Sequence, residues 1–268
     1  MNIKPLSEIC GAEIVGLDLR EPLDDETVGE IAAAIYDHLL VCIRDQELTP
    51  RQFADHARRF GAPIVHVEKD ILVEDVPEVM TLSNADGRPE RQRNGGFHWH
   101  TDLVFTDEPT SFTMLNAVAV PRRGGDTGFA NQYAAYERLP AALRKTADGL
   151  TIAHCYEGRR DGSMPTVYHP LVRPHPVTGR KALYGASSTC IGVKDMPDDE
   201  AADLLAEVGR YALDPAVQYD HHYRLHDVVM WDNAALLHTG PRLDEAADPA
   251  DARIMNRVSV HGWPRPAH

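Results

Sequence analysis

The triplet His100-Thr101-Asp102 places an imidazole and a carboxylate two positions apart, and a lone histidine, His238, follows much later in the chain. On a β-strand, residues i and i+2 point to the same side, so His100 and Asp102 can both reach one ion. A third ligand must then arrive from a distant strand, as His238 would. Two histidines and one carboxylate on one face of a metal are the facial triad of non-haem Fe(II) oxygenases. The spacing therefore predicts an iron site.

The surroundings of the triplet make the prediction more specific. A chain with 14 histidines and 41 acidic residues among 268 positions is expected to contain about two His-x-Asp/Glu triplets by chance. The other one present is His66-Val67-Glu68. The residues that accompany His100-Thr101-Asp102, namely the distant His238 with Arg253 and Arg257 just beyond it, raise this triplet above a chance match. A guanidinium group is suited to bidentate capture of a carboxylate, so the set predicts iron with a docking point for an oxo-acid.

Composition narrows the classes of partner. A formal net charge of -14 at pH 7 argues against nucleic acid or an anionic membrane surface. No apolar run approaches the about 20 residues that span a bilayer, and residues 1–15 contain no apolar signal core. The four cysteines, Cys10, Cys42, Cys155 and Cys190, are scattered without a CxxC pair. This usage predicts reduced thiols in the cytoplasm and disfavours a zinc–thiolate site.

Three helices are predicted from periodicity and capping signals. Acidic residues 24–26 open an amphipathic pattern that continues to Leu39. Residues 48–50 begin a second helix, which Gly61 ends. Residues 198–212 carry apolar side chains at helical spacing and form the third.

The short apolar run at residues 40–43 predicts a strand, and residues 228–231 and 257–263 are predicted to be strands as well. Many short strands with few helices indicate a mainly β fold, a double-sheet barrel with helices packed outside, and one domain over residues 1–268. Strands and helices do not alternate regularly, which disfavours a parallel α/β sheet. Polar residues 83–96 carry no periodicity and are predicted to form a loop, placed where a lid over the site would be.

The last strand is expected to turn both arginines toward one pocket. If residues 253–257 are extended, Arg253 and Arg257 share a face with Met255 between them. The opposite face would hold Ile254, Val258 and Val260. Two neighbouring guanidinium groups are costly unless anions neutralise them, so the spacing predicts two bound carboxylate-like ligands.

Nine short blocks extend these observations over nearly the whole chain. They are Ile43–Gln46, Ala57–Gly61, Trp99–Asp102, Gly124–Thr127, His169–Arg173, His175-Pro176, Thr178–Leu183, Trp231–Asn233 and Arg253–Arg257. Each block is weak alone, and their order and spacing are specific. Together they resemble the taurine dioxygenase/TfdA family of Fe(II)- and 2-oxoglutarate-dependent dioxygenases.

The resemblance implies a double-stranded β-helix, or jelly-roll, core. It implies that His100, Asp102 and His238 hold Fe(II), and that Thr127 and Arg253 contact 2-oxoglutarate. The activity it implies couples oxidative decarboxylation of 2-oxoglutarate to oxidation of a substrate C–H bond by dioxygen, with release of succinate and carbon dioxide. The metal carries the difficult step, and the protein supplies placement and exclusion of side reactions.

The resemblance also implies a site for a small anionic substrate. Arg257 matches the arginine that holds the anionic group in the taurine enzymes, and His66 matches a supporting histidine. His98 lies two positions before His100 and is expected on the ligand side, either lining the pocket or packed as a strand histidine. We further expect a homo-oligomer, either a dimer or a tetramer.

Two positions depart from the taurine enzymes. Gly96 stands where they have a pocket asparagine, and Ala186–Cys190 stands where they have an Asn-x-x-Phe-Thr stretch. Both changes remove bulk or specific polar contacts. A larger or differently shaped anion than taurine is therefore expected.

Two other functions are compatible with the residues. A three-histidine iron dioxygenase would use His98, His100 and His238 without an oxo-acid, but it leaves Arg253 and Thr127 without a role. A non-catalytic metal-bound sensor is the second alternative, and the intact ligand set argues against it. Halogenation is disfavoured because the carboxylate ligand fills the position that a halide would need.

Overall fold

A computed structural model describes residues 1–66, 68–85, 87–94, 96–156 and 161–266. The strands in this part of the chain are β1 Asn2–Pro5, β2 Ala12–Val15, β3 Leu40–Ile43, β4 Ala62–Pro63, β5 Leu72–Val73, β6 Val76–Ser83, β7 Phe112–Ala119, β8 Thr127–Asn131, β9 Thr151–His154, β10 Val167–Pro170, β11 Val172–Pro174, β12 Lys181–Leu183, β13 Cys190–Val193, β14 Gln218–His221, β15 Val228–Asp232, β16 Leu236–Thr239 and β17 Ile254–His261. The helices are α1 Asp25–His38, α2 Pro50–Phe60, α3 Glu90–Arg93, α4 Gln132–Arg138, α5 Ala141–Ala147 and α6 Asp198–Ala212.

The larger of two opposed layers is a nine-stranded sheet in the order β1-β2-β3-β15-β7-β17-β6-β5, with β4 added beside β17. Its pairs are antiparallel except β2 with β3. Successive residues of the central strands point alternately to the two faces of the large sheet. Met114, Met230 and Val258 face the helices, whereas Leu115 and Trp231 face the interior. The interior face is the one that positions the site.

The opposing layer is the sheet β14-β8-β16. Phe129 of β8 meets Trp231 of β15 edge to face, with ring centroids 5.4 Å apart. Smaller sheets, β10-β9-β13 and β11-β12, extend the same side of the molecule. Two mainly antiparallel sheets packed around an apolar interior are the arrangement that the strand pattern predicts.

Helices α1 and α2 cover the outer face of the large sheet, as the sequence predicts. Asp24 caps α1 by accepting from the backbone N–H of Thr27, and the chain leaves the helix at Leu39 with a φ of 68°. Thr49 and Gln52 form a reciprocal capping box at the start of α2. These caps satisfy backbone N–H groups that a helix start leaves unpaired.

The loop prediction for residues 83–96 is incomplete. Strand β6 continues to Ser83, and residues 90–93 form α3. Helices α4 and α5 are also absent from the sequence interpretation. One- and two-turn helices have too few residues to show a 3.6-residue period. Their stability comes from tertiary packing, which the sequence pattern does not show. None of the helices within the described ranges is long and apolar enough to cross a membrane.

The contact between α2 and the end of β17 gives a test of packing. A Cβ on Gly61 would lie 2.1 Å from the backbone oxygen of His261. We expect Gly61→Ala to lower the free energy of unfolding by about 3 kcal/mol, because backbone atoms cannot move aside cheaply. The control is Gly209→Ala in α6, where a Cβ would meet nothing within 4 Å and helix propensity predicts a gain of up to about 1 kcal/mol. Urea denaturation of both variants measures the difference, and equal stabilities would contradict the packing argument.

Candidate active site

All eight residues that the sequence assigns to a site line one cavity of about 690 Å³ between the two sheets. They are His66, His98, His100, Asp102, Thr127, His238, Arg253 and Arg257. The distances within this set define what each part of the cavity can bind.

The metal-ligating groups converge at the base of the cavity. One ligand atom each from His100, Asp102 and His238 lies within 4.8 Å of the others. Asp102 Oδ1 is 3.6 Å from Nε2 of both histidines. Metal–ligand bonds of about 2.1 Å place neighbouring ligands about 3 Å apart, so a small contraction would complete a three-ligand site. The donor set is that of a facial triad.

Backbone pairing between distant segments brings the histidines together. The N–H of His100 donates to the carbonyl of His238 at 2.9 Å, and the N–H of His238 donates back at 2.8 Å. This isolated antiparallel bridge joins His100 to β16. The prediction of a regular strand through Asp102 is wrong, since the chain turns immediately after the bridge and Leu103 has a φ of 52°. The turn still directs the Asp102 carboxylate toward both rings.

The ring nitrogens are prepared for coordination. His100 Nδ1 donates to the carbonyl of His98 at 2.7 Å, which leaves the lone pair of Nε2 directed at the cluster. Burial lowers the pKa of His238 well below its usual value, and the nearby His100 lowers it further. His238 is therefore a neutral imidazole at pH 7, the protonation state that binds a metal.

Asp102 is an ionised carboxylate despite its burial, with 4% of the side chain exposed. Burial would raise the pKa of this carboxyl, but the charge of Arg257 holds the pKa well below its usual range. Arg257 Nη2 lies 2.7 Å from Asp102 Oδ1. The donor chemistry, two imidazoles and one carboxylate anion, fits Fe(II).

Arg253 differs from Arg257 because it has no acidic partner within 4.0 Å among the described residues. Its Nε donates to the carbonyl of Gly125 at 2.8 Å, and its guanidinium lies 5.7 Å from the ring centroid of Tyr223. Burial lowers the pKa of Arg253 from its ordinary value, because the charge has lost its hydration. A buried guanidinium facing a cavity is a strong binding site for a carboxylate.

Thr127 lies beside this arginine at the start of β8. Its hydroxyl oxygen accepts from the phenol of Tyr223 at 3.0 Å, so its own proton is available to a ligand. Burial raises the pKa of Tyr223 to about 12, which keeps the phenol a donor. Sequence reasoning missed Tyr223. The alternating residues Tyr219, His221 and Tyr223 share a face and would have indicated it.

The expected substrate arm is built from β17 and the segment after β4. Arg257 donates to Ser259 Oγ at 3.3 Å through the same nitrogen that faces Asp102. His66 is half-buried, and its Nδ1 accepts from the N–H of Glu68 at 3.1 Å, so a neutral ring carries its proton on Nε2. His98 is exposed at the rim and contacts Phe97, with ring centroids 3.7 Å apart and the rings tilted by 40°.

The sequence predicts a bound anion for each of the two arginines, and this prediction fits Arg253 and Arg257 differently. Val258 and Val260 face the helices, as expected, and Arg253 and Arg257 reach the same cavity. Asp102 already neutralises Arg257, whereas Arg253 depends on a ligand for its counter-charge. The register shift beside Ile254 and Met255 places its extra residue, Val118, on β7, so β17 keeps the alternation that puts Arg253 and Arg257 on one face.

The positions that depart from the taurine enzymes border the cavity. A Cβ on Gly96 would lie 3.4 Å from Cε1 of His100, so glycine leaves space directly beside a metal ligand. Ser188 and Thr189 line the cavity wall. Gln92 and Arg93 of α3 line it from the predicted lid. Asp86 and Gly95 of that lid lie outside the described residues.

A second cluster, Cys42, His221 and Asp227, also brings ligand atoms within 4.8 Å. Arg44 forms an ion pair with Asp227, so a protein cation supplies the positive charge there. His221 is fully buried, whereas its neighbour His222 is exposed and lies 2.8 Å from Asp126. The pair His221-His222 therefore consists of one packed and one solvated residue.

Comparison with known proteins agrees with this geometry. The model of the family described as "Taurine catabolism dioxygenase TauD, TfdA family" matches residues 2–259. The chain therefore belongs to the TauD/TfdA dioxygenase family. The family prediction made from the nine sequence blocks is confirmed.

Three relatives show how far the similarity extends. An alpha-ketoglutarate-dependent 2,4-dichlorophenoxyacetate dioxygenase of Cupriavidus pinatubonensis is 34% identical, covering 91% of this chain and 93% of that protein. An alpha-ketoglutarate-dependent sulfate ester dioxygenase of Pseudomonas putida is 30% identical, covering 98% and 90%. The crystal structure of AAD-2 in complex with Mn(II) and N-oxalylglycine superposes with a TM-score of 0.86 at 28% identity, covering 100% of this chain and 99% of that one. The predicted mainly β, jelly-roll fold class is confirmed.

Removal of any predicted ligand should abolish tight metal binding. We expect His100→Ala, Asp102→Ala and His238→Ala each to weaken Mn(II) binding by at least about 100-fold, because two ligands remain. Electron paramagnetic resonance of free Mn(II) measures the affinity. His222→Ala removes an exposed histidine and serves as the control. Near-stoichiometric, tight binding by Asp102→Ala would contradict the triad.

Arg253→Ala should raise the concentration of 2-oxoglutarate needed for half-saturation far more than it weakens Mn(II) binding. Loss of a buried charge-assisted contact typically costs about 2–5 kcal/mol. Isothermal titration of the Mn(II) protein with 2-oxoglutarate gives the affinity, and Arg210→Ala, which removes an exposed arginine on α6, is the control. An unchanged affinity would assign the distal carboxylate to another residue, Arg257 being the nearest alternative.

Proposed function

We propose that this chain is an Fe(II)- and 2-oxoglutarate-dependent dioxygenase that hydroxylates a C–H bond of a small organic anion. The observation that carries the proposal is the convergence of His100, Asp102 and His238 beside a buried arginine, Arg253, that has no acidic partner in the part of the chain that the structure describes. The predicted class of enzyme and its cofactors are confirmed at the level of the family, since the named relatives are alpha-ketoglutarate-dependent dioxygenases and a structural neighbour holds Mn(II).

His100, Asp102 and His238 would hold the iron. When bound, iron and 2-oxoglutarate supply the oxidising chemistry, in which dioxygen converts the oxo-acid to succinate and carbon dioxide while a substrate C–H bond is oxidised. Arg253 would bind the distal carboxylate of 2-oxoglutarate, and the Thr127 hydroxyl would donate to it. Tyr223 fixes the direction of that hydroxyl by donating to its oxygen.

Arg257 would bind the anionic group of the substrate. Its Nη2 faces Asp102 and Ser259, and its other N–H groups have no hydrogen-bond partner among the described residues, so they remain available to an anion. Burial and the charge of Arg257 lower the pKa of His66. A neutral His66 can therefore donate from Nε2 to the same anion.

The rest of the cavity favours an apolar substrate body. Its wall contains Ile71, Met80, Leu82, Leu103, Phe105 and Leu243. Two relatives are named for 2,4-dichlorophenoxyacetate and for sulfate esters, both organic anions with an apolar part. Gly96 adds space beside His100. These features support an aryl or branched-alkyl anion in preference to taurine.

The alternative functions find less support. The cluster in the described residues includes a carboxylate and excludes His98, which contributes its backbone carbonyl to His100 instead of its ring. A three-histidine enzyme would also leave Arg253 buried without an anion. A metal-bound sensor without turnover does not account for the activities for which the relatives are named.

We also propose that residues 1–268 act as one catalytic domain, since the site draws groups from both ends of the chain, from His66 to Arg257. The homo-oligomer and the cytoplasmic location stay predictions from the sequence. Sedimentation of the purified protein measures the oligomeric state.

The substrate arm can be tested by Arg257→Gln, which keeps hydrogen bonding and removes the charge. We expect substrate-dependent succinate formation at saturating metal to lose about 30-fold or more in kcat/KM, equivalent to about 2 kcal/mol of a charge-assisted contact. Substrate-independent decarboxylation should fall less. Arg242→Gln, at an exposed arginine paired with Glu90, is the control.

The panel of substrates should contain aryloxy acids, sulfate esters, sulfonates, phosphorylated compounds and amino acids, each assayed by coupled succinate release. Preference for a neutral compound whose turnover is insensitive to Arg257→Gln would contradict the anion site. Absence of succinate release with every compound and in the substrate-free reaction would contradict the dioxygenase itself.

A further inference from the structure

Asn233, in the block Trp231–Asn233, contacts the metal-binding turn but supplies no ligand to the predicted metal site. The side chain of Asn233 is 1% exposed and lies between the metal-binding turn and β7. Its Oδ1 accepts from Trp231 Nε1 and from the backbone N–H of Asp102, both at 3.3 Å. Its Nδ2 donates to Thr113 Oγ1 at 3.0 Å.

The orientation of this amide is dictated by its neighbours. An indole N–H and a backbone N–H can only donate, so the oxygen of Asn233 must face them. The NH2 group must then face Thr113. Further contacts hold the same residue, because its backbone oxygen accepts from Thr101 Oγ1 at 2.7 Å and its backbone N–H donates to Ser111 at 2.9 Å.

The amide in turn sets the direction of the Thr113 hydroxyl. A threonine hydroxyl has one proton and two lone pairs. One lone pair accepts from Asn233, and the remaining neighbours are Asp102 Oδ2 at 2.6 Å and Ser259 Oγ at 3.1 Å. An ionised carboxylate can only accept, so the proton goes to Asp102 and Ser259 donates to the second lone pair. Every donor and acceptor of Thr113 is then used.

This arrangement distinguishes the two oxygens of Asp102. Oδ2 is occupied by the Thr113 proton, whereas Oδ1 lies 3.6 Å from Nε2 of both histidines. The two oxygens are chemically equivalent, so these contacts fix the plane of the carboxylate. Rotation out of that plane would leave the buried Thr113 hydroxyl without an acceptor, which is costly.

We propose that Asn233 and Thr113 are positioning residues that fix the Asp102 carboxylate so that Oδ1 is presented to the metal. Asn233 acts through Thr113. The N–H groups of Trp231 and Asp102 fix the orientation of the Asn233 amide, and its Nδ2 then aligns the Thr113 hydroxyl. The inference rests on the metal site of the proposed function and assigns a role to two residues that do not contact the metal-facing atoms.

The first test is Mn(II) affinity in Thr113→Val, which keeps the shape of the side chain and removes the hydroxyl. We expect Mn(II) binding to weaken by about 10- to 100-fold, the range seen when partners of a metal ligand are removed. Thr113→Ser retains the hydroxyl and should restore most of the affinity. The control is Thr81→Val, because Thr81 donates to Asn256 outside the cavity and is not connected to Asp102.

The second test asks whether Asn233 acts through Thr113. Asn233→Ala should weaken Mn(II) binding in the native background and should have a clearly smaller effect in the Thr113→Val background, since interacting residues are non-additive. Thermal unfolding of the metal-free variants is measured in parallel. A fall in thermal stability with unchanged Mn(II) affinity would show a structural role only and overturn the proposal.

The outcomes also separate this inference from the function on which it rests. Tight Mn(II) binding by the native protein and by Thr113→Val alike, with binding lost in Asp102→Ala, would refute the positioning role and leave the dioxygenase intact. Additive effects of Asn233→Ala and Thr113→Val would refute action through the threonine. Failure of the native protein to bind Mn(II) would refute both.

Discussion

The buried negative charge of Asp102 is the constraint on which the rest of the site depends. A carboxylate this far from water is stable in its ionised form only if cations and hydrogen-bond donors surround it. Arg257 supplies a cation 2.7 Å from Oδ1, and Thr113 supplies a donor 2.6 Å from Oδ2. Both come from the central strands β7 and β17, so the large sheet must be assembled before the carboxylate can be ionised at low cost. Fold and metal site are therefore coupled through one residue.

The sequence predicts those residues of the site whose chemistry few residue types can perform. His100, Asp102 and His238 were found because their spacing satisfies a three-ligand site, and the structure brings them together. Arg253 and Arg257 were placed in one cavity because strand periodicity determines which residues share a face. The roles of Thr127, His66 and His98 depended on resemblance, because their residue types are common in ordinary packing.

What the sequence did not predict depends on contacts between distant segments. The turn at Asp102 forms because Asn233, from the end of β15, accepts its backbone N–H, and no local signal near residue 102 encodes this bond. The pairing of Arg257 with Asp102 is likewise a tertiary contact. Helices α3, α4 and α5 are too short for periodicity to indicate them. By contrast, α1, α2 and α6 carry enough turns to show a period, and their predicted limits agree with the structure. Helices α1 and α2 also have side-chain caps at their starts.

The groups of the site differ in how rigidly the fold holds them. The residues for metal and oxo-acid, except Asp102, belong to strands, to the bridge between His100 and β16, or to positions immediately beside a strand. Asp102 lies in the turn after the bridge, where Asn233 accepts its backbone N–H. The groups expected to recognise the substrate, apart from Arg257, lie on connections: His66 after β4, Gly96 before the metal bridge, and Thr189 before β13. Substitutions in connections change cavity shape without disturbing strand register. Arg257 is the exception because it serves both groups, stabilising Asp102 while presenting free N–H donors to the cavity. Arg257 therefore links recognition of the substrate's anionic group to the metal centre. The shape of the pocket for the apolar part of the substrate is set by connections, which can vary independently of the metal centre.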